Sequence, residues 1–168
     1  MNQSQVIRTG RLVLTPVGGA DLADLRAIKA DPGVVAVMLG GVRTSAQTIE
    51  DLARDVIDWG QNGFGMWSVR ETGNGRFAGV TGLQHRDDGR SIALRFALWP
   101  DAQGRGLARE AAFAALRFGH DAARLPRIVA VARESNFASR MVLGGIGMRE
   151  AHTFEQRGWP MVLYQSLL

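Results

Sequence analysis

The chain has 168 residues, of which 46% are hydrophobic and 21% charged, so one ordinary globular domain spanning residues 1–168 is expected. It contains no cysteine, which excludes disulfides, thiolate metal sites and a cysteine nucleophile. No run approaches ~18 apolar residues, and the polar N-terminus lacks the apolar core of a signal peptide, so we expect a cytoplasmic protein that does not bind a membrane. The net charge of +4 comes from dispersed arginines, so nucleic-acid binding is not expected either.

The first half of the chain is predicted to begin with one strand and two helices. The strand covers residues 10–17, and the first helix starts near Asp21 and breaks at Pro32-Gly33. The apolar run 34–42 ends in glycines and is interpreted as a loop packed against other elements. The second helix is capped by Thr44 or Ser45, and helical spacing predicts a buried stripe of Ile49, Leu52, Val56 and Trp59.

The period then changes from helix to strand. Residues 65–84 are predicted to form two strands around Asn74-Gly75, a pair that favours a tight hairpin turn. Residues 91–100 alternate again and end at a proline. In this strand Ile92, Leu94, Phe96 and Leu98 are predicted to point to one face, and Ala93, Arg95, Ala97 and Trp99 to the other.

A glycine-containing turn and an alanine-rich helix over about 106–122 come next. The chain is then predicted to form a strand over 127–132, a helix over 134–147, and two strands near 149–155 and 159–167. Antiparallel neighbours followed by a strand–helix–strand crossover indicate an α+β fold built on a mixed sheet.

The turn at residues 103–109 carries the strongest chemical signal. A strand that enters a helix through glycines leaves free backbone N–H groups at the helix N-terminus, where the helix dipole favours an anion such as phosphate. Gly104 and Gly106 leave room for a pyrophosphate, and Arg105 and Arg109 add positive charge. A simple glycine turn with a helix cap is the alternative. The turn matches neither the nucleotide triphosphate loop nor the dinucleotide fingerprint.

Residues 103–108, Gln-Gly-Arg-Gly-Leu-Ala, resemble the Gln/Arg-x-x-Gly-x-Gly/Ala signature of the GCN5-related N-acetyltransferases (GNAT). Segments 9–17, 77–84, 94–111 and 127–148 resemble further parts of the family in the right order, and the first is similar to its ribosomal-protein alanine N-acetyltransferase-like branch. The resemblance implies a mixed, mostly antiparallel sheet of about seven strands flanked by about four helices, with the fourth and fifth strands splayed apart.

The same resemblance implies acetyl-CoA, or another acyl-CoA, as the donor. Its pyrophosphate is expected on the amides of residues 104–109, and its pantetheine arm along the fourth strand. The implied cofactor contacts are Ala97, Leu98, Trp99, Gln103, Gly104, Arg105, Gly106, Leu107, Ala108, Arg109, Asn136 and Ser139. Ser139 also matches a serine near the thioester, which makes it the catalytic candidate to hydrogen-bond the thiolate, with a helix-cap serine as the alternative.

Two positions depart from the family's pattern. Many relatives carry a tyrosine acid where this chain has Leu143, and a glutamate early in the fourth strand where it has Ala93. Tyr164, the only phenol, is interpreted as structural. His85, at the end of the third strand, is the candidate replacement base, although a lone histidine is often incidental.

The acceptor is expected to be a primary amine. An α-amine has a pKa of ~7.7–8.0 against ~10.4 for lysine and needs less help from a base, which favours a protein N-terminus. Arg95 is a candidate acceptor contact, or a structural ion-pair partner, and Trp67 is a candidate cleft wall or core residue. Two alternatives stay open: acetylation of a small molecule (an antibiotic amine, a polyamine or an amino acid) and an acyl-CoA-binding module without turnover. No metal-ligand spacing occurs, and the oligomeric state is left open, a homodimer being the commonest arrangement.

Overall fold

The computed structural model describes residues 5–36 and 40–168, and these residues form a sheet with helices on both sides. The strands are Ile7–Arg8 (β1), Leu12–Pro16 (β2), Met66–Glu71 (β3), Phe77–His85 (β4), Ile92–Leu98 (β5), Arg127–Arg133 (β6), Arg149–Gln156 (β7) and Trp159–Leu167 (β8). The helices are Leu22–Ala30 (α1), Pro32–Val35 (α2), Ser45–Asn62 (α3), Leu107–Asp121 (α4) and Phe137–Gly145 (α5). The predicted α+β architecture is confirmed, with one strand and one helix more than expected.

The two additional elements are short. The two residues of β1 pair with β2 at the sheet edge, and so short a strand has no periodicity that the sequence can reveal. Helix α2 lies partly in the predicted loop 34–42, and it forms because Asp31 Oδ1 accepts the backbone N–H of Val34 at 3.1 Å and Pro32 is its first residue. Residues 37–39 of the predicted loop lie outside the described residues.

The sheet order is β1-β2-β3-β4-β5-β6-β8-β7, and only the β5–β6 pair is parallel among the strand pairs of the described residues. Strands β4 and β5 pair continuously from Gly79–Leu98 to His85–Ile92. In contrast, β5 and β6 share one register position, Ala93 with Val129. They diverge from that position toward Leu98, which confirms the expected splay and leaves a wedge between them.

The sheet separates two groups of helices. Leu94 and Leu98 of β5 pack in the core cluster that contains Leu107 of α4 and Leu143 of α5. Ala97 and Trp99, on the other face as predicted, pack against the cluster that contains Leu25, Val34 and Leu52 of α1, α2 and α3. We call these faces the α4/α5 side and the α1–α3 side.

The buried face of α3 differs from the predicted stripe. Ile49 and Val56 are 46% and 47% exposed, whereas the buried residues of α3 are Thr48, Leu52, Asp55 and Trp59. The apolar spacing of this helix fits either face, and polar contacts with the sheet decide between them: Trp59 Nε1 donates to the Met66 carbonyl at 2.8 Å and Gln84 donates to Asp55. In the described part of the chain no helix is long and apolar enough to span a bilayer.

Candidate active site

The turn between β5 and α4 presents a set of unpaired backbone donors. Gly104 (φ 72°) and Gly106 (φ 77°) adopt the left-handed conformation that favours glycine. Nothing described lies within 4 Å of the position that a Gly104 Cβ would take. The backbone N–H groups of residues 104–109 donate to no acceptor within the described residues. With the α4 dipole, these donors suit a phosphate group.

Glu110 holds this turn against β2. Its Oε1 accepts the Thr9 hydroxyl at 2.5 Å and the Arg11 backbone N–H at 2.9 Å, and its Oε2 accepts Arg11 Nε at 2.7 Å. Arg11 Nη1 also donates to the Arg105 carbonyl at 2.7 Å. Burial acts to raise the pKa of Glu110, but the hydrogen bonds from Thr9 and Arg11 outweigh it and the pKa is lowered. An ionised Glu110 therefore fixes the start of α4.

The two arginines of the turn have different surroundings. Arg105 donates from Nη1 and Nη2 to the two carboxylate oxygens of Glu71 at 3.0 and 2.8 Å, so its charge is already paired with β3. Arg109 forms no ion pair with a described residue and lies beside Gly145 of α5, where an added Cβ would stand 3.3 Å from its Nε. Of the two, Arg109 has the positive charge that is available to a ligand.

The wedge between β5 and β6 opens onto this turn. Ala97, Leu98 and Trp99 lie at its open end, where β5 is held on its other edge by β4, and the Trp99 N–H donates to the Ala78 carbonyl at 2.9 Å. Gln103 Nε2 donates to the Leu98 carbonyl at 3.2 Å. The structure thus joins the predicted strand contacts and the turn in one path that narrows at Ala93.

Asn136 and Ser139 lie together at the start of α5. Asn136 caps the helix, because its Oδ1 accepts the Ser139 N–H at 3.2 Å, and its Nδ2 donates to Ser139 Oγ at 3.0 Å. Asn136 is therefore the cap of α5, and Ser139 is the residue of the first turn that it holds. The Ser139 hydroxyl acts as an acceptor here, and no described residue accepts its hydrogen, so that hydrogen is free to be donated.

Leu143 and Tyr164 lie in the core. Leu143 is 1% exposed. The Tyr164 hydroxyl donates to Glu150 at 2.8 Å and accepts from Arg140 Nε at 3.1 Å. Desolvation raises the pKa of Tyr164 although Arg140 opposes it. A phenol that is fixed in this way supports the structural interpretation of Tyr164.

A polar cluster lies on the α1–α3 side of the narrow end of the wedge. Gln84 pairs with Ala93, and Gly82 with Arg95, so the side chains of Gln84, Ala93 and Arg95 share one face. Gln84 Nε2 donates to Asp55 Oδ1 in α3 at 2.6 Å. Sequence reasoning missed Asp55, because the apolar spacing of α3 assigned the neighbouring Val56 to the interior.

The Arg95 guanidinium has no hydrogen-bond or ion-pair partner among the described residues, so the structural ion pair is not formed with them. Surrounding atoms desolvate its guanidinium and lower its pKa, an effect that the charges of Asp87 and Asp55 oppose. The side chain is nevertheless exposed. An exposed guanidinium with no partner among the described residues is available to contact a ligand.

The remaining two candidates lie away from this cluster. His85 is the last residue of β4, and strand alternation places it on the opposite face from Gln84, with its ring 5.7 Å from that of Phe64. Trp67 has 0% exposure and lies among aromatic rings, 4.7 Å from Trp59 between ring centres. Trp67 offers no surface to a ligand in this structure, which supports the core interpretation.

Comparisons with known proteins agree with this geometry. Residues 11–149 match the family model described as an acetyltransferase (GNAT) domain. The chain is 24% identical to "Uncharacterized protein YkkB" of Bacillus subtilis (strain 168), across 98% of this chain and 97% of that protein. An acetyltransferase from Agrobacterium tumefaciens superposes with a TM-score of 0.85 at 25% identity, covering 97% of this chain and 94% of that one.

A more distant structure contains coenzyme A. It is that of RimL, described as a ribosomal L7/L12 alpha-N-protein acetyltransferase in complex with coenzyme A, and it superposes with a TM-score of 0.82 at 16% identity over 97% of this chain and 98% of that one. At that identity the likeness establishes a shared fold. Among residues 5–36 and 40–168, no three His, Asp or Glu side chains are grouped to hold a metal ion.

Proposed function

The chain belongs to the GNAT acetyltransferase family, and on that premise we propose that it transfers the acetyl group of acetyl-CoA to a primary amine, a protein N-terminal α-amine in particular. The observation that carries the proposal is the row of unpaired amides at 104–109, which lies at the mouth of the β5–β6 wedge. The coenzyme A bound to RimL supports the donor, and RimL's described alpha-N-protein substrate supports the acceptor.

The described residues fit such a donor. The amides of residues 104–109 and the unpaired charge of Arg109 would hold the pyrophosphate. The edge of β5 beyond Ala93, which does not pair with β6, leaves backbone groups for the amides of the pantetheine arm. Asn136 and Ser139 would border that arm from α5.

The transfer forms a bond between the amine nitrogen and the acetyl carbon, and breaks the bond between that carbon and sulfur. The amine loses a proton, and the thiolate gains one from solvent. The free Ser139 hydroxyl hydrogen would donate to the departing sulfur. Leu143 supplies no acid, so stabilisation by this hydrogen bond replaces proton donation by a tyrosine.

Ser139→Ala is expected to lower kcat about 10- to 100-fold, the value of a hydrogen bond to a charged atom, and to leave the Kd for CoA within about twofold. Thiol release gives kcat, and titration calorimetry gives Kd. Ser135→Ala, at an exposed serine four residues earlier in the turn before α5, is the matched control. Equal kcat values for the two variants would contradict a role for Ser139 in the transfer.

The tripeptide Ala-Ala-Ala is expected to be acetylated about 100-fold more efficiently near pH 7 than Nα-acetyl-lysine amide, because a far larger share of its amine is neutral. Thiol release with each compound measures kcat/KM. Acetylation of the lysine derivative without the tripeptide would disprove the α-amine proposal. Preference for spermidine would favour the small-molecule alternative, and CoA binding without thiol release from any amine would favour the non-catalytic module.

A further inference from the structure

We propose that Asp55 accepts the proton of the acceptor amine at the narrow end of the β5–β6 wedge, where α3 supplies the carboxylate that β5 lacks at Ala93. This inference rests on the proposed acetyl transfer and names a catalytic residue for it.

The position of Asp55 follows from the strand registers. The wedge closes where Ala93 meets Val129, so an extended arm that enters beside Leu98 ends near Ala93. Gln84 stands directly opposite Ala93 and holds Asp55 Oδ1 at 2.6 Å. The Ala93 side chain, which is 5% exposed and packs with Val129 and Leu163, supplies no carboxylate at this point.

The second carboxylate oxygen of Asp55 is available. No described residue donates to Oδ2, although the residue is only 5% exposed. Among the described residues, Arg133 Nε is the one side-chain polar atom that is both fully buried and without a hydrogen-bond partner. Asp55 Oδ2 has no partner either, so it is not fully buried. Gln84 fixes one oxygen, and the other can receive the proton.

The charges around Asp55 suit a base that works near neutral pH. Burial raises its pKa to about 6, while Lys29 of α1 and the Gln84 hydrogen bond act to lower it. The carboxylates of Asp51 and Asp58 on the same helix raise it further. A group with this pKa is ionised at pH 7 and remains basic enough to take a proton from an amine.

Arg95 and the ion pairs of Asp51 complete the charged surroundings. Arg95 of β5 faces the cluster, and the negative charge of Asp55 acts on its guanidinium. Lys29 is itself paired with Asp51 at 3.0 Å, and Arg43 binds the other oxygen of Asp51 at 2.8 Å. Asp51 is therefore held by two cations of its own, whereas no described cation forms an ion pair with Asp55. His85, the base expected from sequence, points to the opposite face.

Asp55→Asn tests the proposal, because the amide oxygen still accepts from Gln84 while the proton-accepting oxygen is lost. With acetyl-CoA and Ala-Ala-Ala, kcat/KM near pH 7 is expected to fall about 100-fold. The kcat/KM of the wild type should increase as the pH rises through about 6, and the variant should lose this increase. The deficit should shrink above pH ~9, where the α-amine is neutral without help.

Thermal stability distinguishes catalysis from structural support. The folded pKa of about 6 exceeds the ordinary value of 3.8, so the stabilising contribution of Asp55 is present below pH 3.8 and lost as pH rises through 6. Asp55→Asn is therefore expected to melt no lower than wild type at pH 8. If the carboxylate were purely structural, its removal would lower the melting temperature and leave the increase of kcat/KM near pH 6 in place.

Two further variants complete the test. Asp55→Glu is expected to recover part of the activity and the increase of kcat/KM near pH 6. Asp58→Asn makes the same change one helical turn later, and its kcat/KM should stay within about threefold of wild type. This inference is overturned if the wild type turns over the tripeptide and the kcat/KM of Asp55→Asn lies within threefold of it, or still rises with pH near 6. That outcome leaves acetyl transfer standing. No turnover by wild type with any amine overturns both.

Discussion

Gly106→Val is expected to weaken CoA binding at least about 100-fold in a protein that still folds. Gly106 is the N-cap of α4, and a branched side chain there would stand over the first free amides of the helix. A hydrogen bond to a charged group contributes about 1.5–3 kcal/mol, so loss of two amide–phosphate bonds accounts for the change.

The backbone strain of this substitution needs its own control. Gly106 has φ 77°, and a side chain in that conformation costs about 1–2 kcal/mol whatever it touches. Gly158, in the β7–β8 turn, has φ 78° and no atom within 4 Å of an added Cβ, and an added Cβ at Gly106 would meet only Arg11 Nη2, at an ordinary contact distance of 3.4 Å. Gly158→Val should therefore lose similar stability and keep wild-type affinity for CoA.

The donor fragment separates phosphate binding from the rest of the site. Acetylpantetheine carries the thioester without the pyrophosphate, so its kcat/KM should be the same for Gly106→Val and wild type. Calorimetry with CoA and thiol release with acetylpantetheine supply the two measurements. Unchanged CoA affinity would show that the turn is only a helix cap, and a parallel loss with acetylpantetheine would show a general distortion.

The sequence predicts the strand end, turn and helix of residues 98–121 well because their signals are local. Pro100 ends β5, the glycines form the turn, and the apolar stripe of α4 follows within a few residues. Each of these features depends on the conformation of its own segment, so neighbouring residues suffice to recognise it.

The acceptor side depends on contacts between distant segments, which spacing does not reveal. The polar partner of Asp55 is 29 residues away at Gln84, and that contact decides which face of α3 is buried. On the donor side, Arg105 has a distant partner of the same kind, because Glu71, 34 residues earlier, accepts from two of its guanidinium nitrogens. Neither partner follows from a helical or strand period.

The sequence assigns Trp67 equally to the core or to a cleft wall, since both positions favour a large aromatic residue. Its replacement should have the largest effect on stability. Trp67→Ala is expected to lower the free energy of unfolding by about 3–5 kcal/mol, the usual range for a buried aromatic residue replaced by alanine. The ring lies edge-on to Trp59 and to Phe118, 5.1 Å from the latter, and its Nε1 donates to the Gln5 carbonyl at 2.7 Å. Urea unfolding measures the change, which corresponds to roughly 6–20 °C in Tm.

Trp159 provides the matched tryptophan, since it is 47% exposed and its ring lies 4.1 Å from the Arg133 guanidinium carbon. Trp159→Ala should cost only about 0.5–1 kcal/mol, the value of an exposed cation–π contact. The more conservative Trp67→Phe then separates packing from acceptor contact. Unfolding should become easier while KM for Ala-Ala-Ala stays unchanged, because the ring at position 67 has no exposed surface. A raised KM without lost stability would instead restore Trp67 to the wall of the acceptor cleft.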